Sequence, residues 1–262
     1  MATIVLDKCY LQGASSQEIR RLCADHMVLM PEALMLELLT TEERVRTSCF
    51  RKFPVAENPV ALISHVGTLL AHERETHTPA TPIAERRIDI RFSFSPRLAA
   101  GTFIFTPEQQ TAIAEWEADT AGAVEEFKSR ASATINWFPS LADYKPGMPP
   151  DEIENLRHAV ATDRELICNV YEAIRHESFP PSNLLDEHWA SFRWVQVQLL
   201  AALEYIRRYG ANNMQAAFWR VHNDIVDMQY TITGVLAGAL ASRDAAVQNT
   251  FRLLCPSGQV IF

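Results

Sequence analysis

Four acidic residues occupy positions from which their side chains could act together on a metal ion. Asp7 and Asp244 each follow a short apolar segment of the kind that forms a buried strand. Asp227 lies near the start of an apolar run with helical spacing, and Glu37 lies within a predicted helix. Because ligands of open α/β sheets bind at the carboxyl ends of the strands, we expect these carboxylates to converge at one sheet edge.

Carboxylates that are packed together repel one another unless a cation lies between them. Mg²⁺ and Mn²⁺ prefer oxygen ligands, and a cation held in this way can activate water for attack on a phosphodiester. Asp224 is a further candidate ligand, three residues before Asp227. The pattern predicts a Mg²⁺ or Mn²⁺ site, with catalytic roles for Asp7, Glu37, Asp227 and Asp244 and with Asp224 at its rim.

Each of these residues also has a structural interpretation. An Asp that follows a strand commonly forms a turn or caps a helix. Asp224 and Asp244 both precede apolar helical patterns that they could cap. Glu37, considered alone, is equally consistent with an ordinary surface residue and with a ligand. The functional interpretation therefore depends on the whole ordered set.

The elements needed to position these residues are predicted at both ends of the chain. Residues 3–6 and 28–30 have the apolar character of buried strands. A helix is predicted over residues 15–25, where Ser15 and Glu18 have capping-box spacing, and another begins at Pro31. Short strands that alternate with helices indicate a parallel sheet with right-handed crossovers.

The predicted fold is α/β, with a small parallel sheet of four or five strands flanked by helices. Residues 1–50 and 205–262 would form this discontinuous core, and residues 51–204 would form a large, mainly helical insertion. Within the insertion, helices are predicted over residues 107–130, 151–177 and 184–209. Residues 88–94 alternate between apolar and charged types, which is typical of a short edge strand or an extended arm.

The segment 184–209 carries a wide apolar stripe. Such a stripe requires a partner surface. We expect it to pack on the helices that cover the sheet or on a second copy of the chain, which would then be a homodimer. Gly210 is a plausible end for this helix.

The two ends of the chain resemble the PIN-domain nucleases. The matching segments are IVLDKCYLQG, MPEALMLELL and DMQYTITGVLAGALASRD, followed by a closing strand after LLCP. Asp7, Glu37, Asp227 and Asp244 correspond in order to the acidic positions of that family. The resemblance implies a PIN-like core and a metal-dependent nuclease, with RNA as the favoured substrate. The family commonly has Ser or Thr directly after the first Asp, where this chain has Lys8.

Charge and composition restrict how a nucleic acid could bind. The formal net charge is −8, which argues against attraction of nucleic acid by the whole surface. Binding would therefore depend on the metal and on a local patch, and Lys8 and Arg243 adjoin the proposed ligands as candidate phosphate contacts. The five cysteines include no CxxC, and neither a signal peptide nor a membrane span is apparent. We expect reduced thiols, no zinc, no membrane association and a cytoplasmic location.

Other functions receive less support from the sequence. The segment from His72 to His77 has HExxxH spacing, whereas the zinc motif requires HExxH. A phosphatase with an aspartyl nucleophile of the haloacid-dehalogenase type would need a second Asp at position 9, where this chain has Cys9. A third hypothesis is a catalytically impaired interaction module, whose helical insertion binds a regulatory protein. This hypothesis stays open because Lys8 occupies the position where the PIN-domain family commonly has Ser or Thr.

Overall fold

A computed structural model describes residues 2–56, 59–87 and 96–262. Its strands are β1 (Thr3–Leu6), β2 (Met27–Pro31), β3 (Ala61–Ile63), β4 (Ala239–Ala241) and β5 (Gln259–Ile261). Its α-helices are α1 (Lys8–Gly13), α2 (Ser16–Asp25), α3 (Glu32–Thr40), α4 (Glu43–Phe50), α5 (Val66–Thr76), α6 (Pro96–Ala100), α7 (Pro107–Trp137), α8 (Asp151–Thr162), α9 (Arg164–Ile174), α10 (Ala190–Tyr209), α11 (Val221–Ala237) and α12 (Ala245–Leu254). The predicted strand or arm at residues 88–94 lies outside the described residues.

The strands form one parallel sheet in the order β3-β2-β1-β4-β5. This confirms the predicted α/β class and the small parallel sheet flanked by helices. In β1, Val5 pairs with Leu29 of β2 on one side and with Leu240 of β4 on the other. Ile4, Val5 and Leu6 are completely buried, as expected for a parallel strand covered on both faces.

The strand order changes direction between β1 and β4. From β1 the chain proceeds outward to β2 and β3, whereas β4 and β5 lie on the opposite side of β1. The carboxyl ends of β1 and β4 therefore form the topological switch point, where ligands of open parallel sheets bind. Asp7 follows β1 and Asp244 follows β4, so both lie at this edge.

The chain divides into two compact units. Unit 1 comprises residues 1–68, 81–118 and 229–262 and contains the sheet, and unit 2 comprises residues 69–80 and 119–228. These bounds differ from the predicted core of 1–50 and 205–262 with an insertion of 51–204. The difference arises because β3, inside the predicted insertion, pairs with β2, and because residues 205–228 group with the helices of unit 2.

The long amphipathic helix of unit 2 is α10. It packs against α8 and α9, and its apolar side is buried there. Its partners thus include helices of its own unit, which were not among the expected surfaces. The helix predicted over residues 151–177 is instead two helices, because Asp163 ends α8 and caps α9 by accepting a hydrogen bond from Leu166 N–H. Gly210 ends α10 with a φ of 77°, as predicted.

Within the described part of the chain, no helix combines the length and the apolar character required to cross a bilayer.

Candidate functional site

Asp7 lies at the topological switch point and is only 2% exposed. It is the N-cap of α1, where its Oδ1 accepts a hydrogen bond from Cys9 N–H at 3.1 Å. Its Oδ2 accepts hydrogen bonds from the Cys9 thiol, at 2.9 Å, and from the Ser242 hydroxyl. Since Ser242 directly follows β4, these contacts join the ends of the two strands at the switch point.

The pKa of Asp7 is raised, chiefly because burial disfavours its charged form. Hydrogen bonds from Cys9 and Ser242 oppose this effect, and the charge of Asp244 adds to it. Burial and the neighbouring Asp7 also raise the pKa of Cys9 to about 11. The thiol therefore keeps its proton at neutral pH, so Cys9 serves Asp7 as a hydrogen-bond donor and is not a poised nucleophile.

Asp244 is the N-cap of α12. Its Oδ1 accepts hydrogen bonds from Ala246 N–H at 2.7 Å and from Val247 N–H at 3.0 Å. Its own N–H donates to Ser242 Oγ at 3.1 Å. Asp7 and Asp244 are thus both helix caps and, at the same time, two acidic groups linked through one serine.

Glu37, on α3, accepts hydrogen bonds at both of its carboxylate oxygens. Lys8 Nζ lies 2.7 Å from Oε1, and the Tyr230 hydroxyl donates to Oε2 at 2.6 Å. The side chains of Lys8 and Glu37 are each 24% exposed, and Tyr230 is buried. Glu37 is therefore held by side chains from α1 and α11 and is not an ordinary surface residue.

Asp224 and Asp227 lie in the part of α11 that belongs to unit 2, whereas Asp7, Glu37 and Asp244 belong to unit 1. Asp224 is in the first turn of α11 and is not its N-cap, because the helix begins at Val221. Its carboxylate accepts a hydrogen bond from the Tyr205 hydroxyl. Burial and this hydrogen bond raise the pKa of Tyr205.

The two predicted phosphate contacts both form intramolecular interactions. Lys8 is paired with Glu37. The Arg243 guanidinium lies 3.1 Å from Glu18 Oε1 and 5.5 Å from the centre of the Tyr10 ring. A phosphate group would have to compete with these carboxylates for either side chain.

Among residues 2–56, 59–87 and 96–262, no group of three or more His, Cys, Asp or Glu side chains is arranged to hold a metal ion. Asp7, Glu37 and Asp244 offer the oxygen ligands that Mg²⁺ and Mn²⁺ prefer. Glu37, however, already has a cation, the ammonium group of Lys8, at one of its oxygens. The arrangement therefore does not fit a metal ion at Glu37 while Lys8 remains there.

Sequence reasoning did not identify Ser242 or Tyr230 as site residues. Each nevertheless had a local signal. Ser242 is the last residue of the apolar segment before Asp244, and Tyr230 follows Asp227 by three residues, which places the two on the same face of α11.

A second buried carboxylate, Glu73 of α5, was also missed. It is completely buried in unit 2, where its oxygens accept hydrogen bonds from the N–H groups of Ala80, Ala190 and Ser191 and from the Ser191 hydroxyl. Trp189, the N-cap of α10, provides no side-chain hydrogen bond, so Glu73 caps this helix from a distant part of the sequence. Its spacing from Val66 and Leu69 places it on the apolar face of α5, a signal that was available in the sequence.

Comparisons with protein-family models, with curated proteins and with solved structures found no match to this chain. Its function must therefore be inferred from its own residues and their arrangement.

Proposed function

We propose that this chain is a metal-dependent nuclease that hydrolyses phosphodiester bonds, with RNA as the substrate class. The observation that carries the proposal is the pair of carboxylates at the topological switch point. Asp7 is buried at the end of β1, and the charge of Asp244, which follows β4, contributes to raising its pKa. A buried acidic group with a perturbed pKa beside a second carboxylate, at the carboxyl ends of parallel strands, is a candidate for a functional site.

The described side chains would contribute orientation and negative charge. Cys9 and Ser242 fix the Asp7 carboxylate by hydrogen bonds. Asp244 caps its helix through one oxygen, because Oδ1 accepts the hydrogen bonds from both Ala246 N–H and Val247 N–H. Asp227 is the fourth proposed metal ligand, and it is proposed from the sequence alone. When bound, Mg²⁺ or Mn²⁺ would activate water and stabilise the leaving oxygen.

Cleavage of labelled single-stranded RNA and DNA in the presence of Mn²⁺ tests the proposal. We expect the wild-type protein to cleave RNA, and chelation of the metal to stop the reaction. Asp7→Asn and Asp227→Asn should abolish cleavage while the circular dichroism spectrum remains that of the wild type. Asp25→Asn removes an exposed carboxylate of α2 and is the matched control. Full activity in Asp227→Asn would show that this residue is not a ligand, and cleavage that resists chelation would exclude the metal-dependent reaction.

The ion pair between Lys8 and Glu37 argues for a second candidate, a nucleic-acid-binding module without catalytic activity, only in so far as the ammonium group occupies a carboxylate that a metal ion would need. This candidate predicts binding of RNA without cleavage under all metal conditions. Fluorescence anisotropy at several salt concentrations measures this binding. Neutralising Lys8 and Arg243 should flatten the salt dependence by about one unit of log–log slope per lost phosphate contact. An unchanged slope would place the bound nucleic acid elsewhere.

A further inference from the structure

Trp219, in unit 2, presents an aromatic ring to water. The residue is 81% exposed, whereas tryptophan is on average among the most buried residue types. It belongs to a short 3₁₀ helix, Met214–Arg220, whose Met214 and Ala217 are buried. The backbone at Trp219 is therefore held by the fold while its ring is left without a cover.

A positive charge accompanies this ring. The guanidinium group of Arg220 lies 5.5 Å from the centre of the Trp219 ring and also interacts with the side chain of Tyr209. Tyr209 and Phe218 both contact the ring of Tyr205, with ring centres 5.8 Å apart in each pair. A ring and a guanidinium group supported in this way offer a stacking surface for a nucleobase and a charge for the adjoining phosphate.

The charge of this region differs from that of the whole chain. Residues 205–223 include three arginines and neither Asp nor Glu, although the net charge of the chain is −8. Around them, four guanidinium groups face three carboxylates, because Glu204 pairs with three arginines, Glu154 with one of the same three, and Asp224 acts on Arg220. The three arginines at Glu204 are Arg157, Arg207 and Arg208. A polyanion is therefore not repelled here, as it would be by the average surface.

The remaining exposed side chains favour nucleic acid over a protein partner. Apart from Trp219, the only exposed apolar residue in the segment 205–223 is Ala216. The exposed polar side chains other than arginine are Asn212, Asn213, Gln215, His222 and Asn223. The centre of a protein interface is apolar and poor in charge, whereas a single strand of nucleic acid requires a ring for a base, cations for phosphates and polar groups for base edges.

We propose that residues 205–223 form a binding surface for single-stranded nucleic acid, in which Trp219 stacks on a base and Arg220 contacts the adjoining phosphate. The inference rests on the proposed function for its ligand class, but it requires no metal ion. It assigns to unit 2 a contact with the strand that is separate from Lys8 and Arg243 of unit 1.

Fluorescence anisotropy of a labelled single-stranded RNA, with EDTA present to prevent metal-dependent cleavage, tests this proposal. Trp219→Ala should raise the Kd by roughly fivefold to 150-fold, the range for loss of one stacked base, and Trp219→Phe should recover most of the affinity. Phe262→Ala is the matched control, because it removes a 73% exposed ring that lies beside Arg252 in unit 1. It should leave the Kd within about twofold of the wild-type value.

An abasic oligonucleotide separates stacking from charge, since it keeps the phosphates and lacks the bases. Trp219→Ala should bind it as the wild type does. Arg220→Met should bind it more weakly and lower the log–log salt slope by about 0.7. Circular dichroism confirms that each variant is folded. An equal loss of both oligonucleotides in Trp219→Ala would exclude stacking.

The outcomes separate this inference from the proposed function. If the wild type binds RNA and Trp219→Ala binds it equally well, the inference is wrong and the proposed function stands. The same holds if RNA is cleaved with Mn²⁺ but is not bound in EDTA. If the wild type neither binds nor cleaves RNA, both the inference and the proposed function are wrong.

Discussion

The two buried carboxylates, Asp7 in unit 1 and Glu73 in unit 2, are alike in several respects. Each is almost completely removed from water, and burial is the largest cause of its raised pKa. Each accepts backbone N–H groups at the start of a helix, α1 for Asp7 and α10 for Glu73. Exposure alone therefore does not distinguish these two carboxylates.

Their donors and neighbours do distinguish them. Glu73 accepts from three backbone N–H groups, which the fold holds in place, and from the Ser191 hydroxyl. Asp7 accepts from one backbone N–H group, a thiol and a hydroxyl, and a second carboxylate, Asp244, raises its pKa further. A carboxylate matched by fixed donors stabilises the fold, whereas one held by side chains beside a like charge is suited to exchange its partners for a ligand.

The largest expected effect is a loss of stability in Glu73→Ala. This change leaves three buried N–H groups and one hydroxyl without their acceptor, and we expect the free energy of unfolding to fall by about 3 kcal/mol or more. Urea denaturation followed by circular dichroism measures it. Glu75→Ala, on the same helix but with a mostly exposed side chain, is the control and should change little. A Glu73→Ala protein as stable as the control would show that these hydrogen bonds do not stabilise unit 2.

A smaller effect is expected for Asp7→Asn. The amide retains one oxygen that can accept from Cys9 N–H, and the change removes a carboxyl group whose charged form is disfavoured by burial and by the charge of Asp244. We expect the free energy of unfolding to change by about 1 kcal/mol or less, in either direction, in the same urea experiment. A loss as large as that of Glu73→Ala would erase the distinction between the two carboxylates and make Asp7 primarily a helix cap.

The smallest effect is a pH dependence that both carboxylates share. Their folded pKa values lie above the ordinary values of 3.8 for Asp7 and 4.5 for Glu73. Between the ordinary and the folded value, the folded protein carries more protons than the unfolded chain. The free energy of unfolding therefore falls as the pH rises through this window and levels off above the folded pKa.

Urea denaturation of the wild type and of Glu73→Gln, from about pH 4 to about pH 8, measures the contribution of Glu73 as a difference. The difference removes the opposite contributions of carboxyls such as Glu172, whose pKa is lowered to about 2 by its hydrogen bond with Arg175. The free energy of unfolding of Glu73→Gln should fall less steeply with rising pH than that of the wild type. A steeper decline in the variant would mean that Glu73 is ionised more readily in the folded protein than in the unfolded chain.

Features coded by neighbouring residues could be predicted from the sequence. The Ser15 and Glu18 capping box forms as expected, because both of its hydrogen bonds join residues three apart. The positions of Asp7 and Asp244 at the carboxyl ends of strands also follow from short apolar segments. The short strand β3 was missed, because its residues lie in the stretch that the sequence assigned to the helical insertion.

Features that depend on distant residues could not be predicted. Glu73 accepts a hydrogen bond from Ser191, which is 118 positions away in the sequence. Glu37 accepts one from Tyr230, which is 193 positions away. No local pattern encodes such distances, so the burial of Glu73 and the donors of Glu37 emerge only in the folded chain. The pairing of Lys8 with Glu37 was likewise missed, because the sequence places Lys8 beside Asp7, a proposed ligand, and does not indicate the partner of Lys8.

The pairing of β1 with β4 has a consequence for biosynthesis. Val5 pairs with Leu240, and Asp7 accepts a hydrogen bond from Ser242, which lies 235 residues later in the chain. While the ribosome is still producing the segment before residue 239, β1 lacks its partner on one side and exposes an unpaired edge. Such an edge is a template for pairing with other chains, so the nascent protein is most prone to aggregate in this interval. The same delay keeps Asp7 and Asp244 apart until residue 244 has been synthesised.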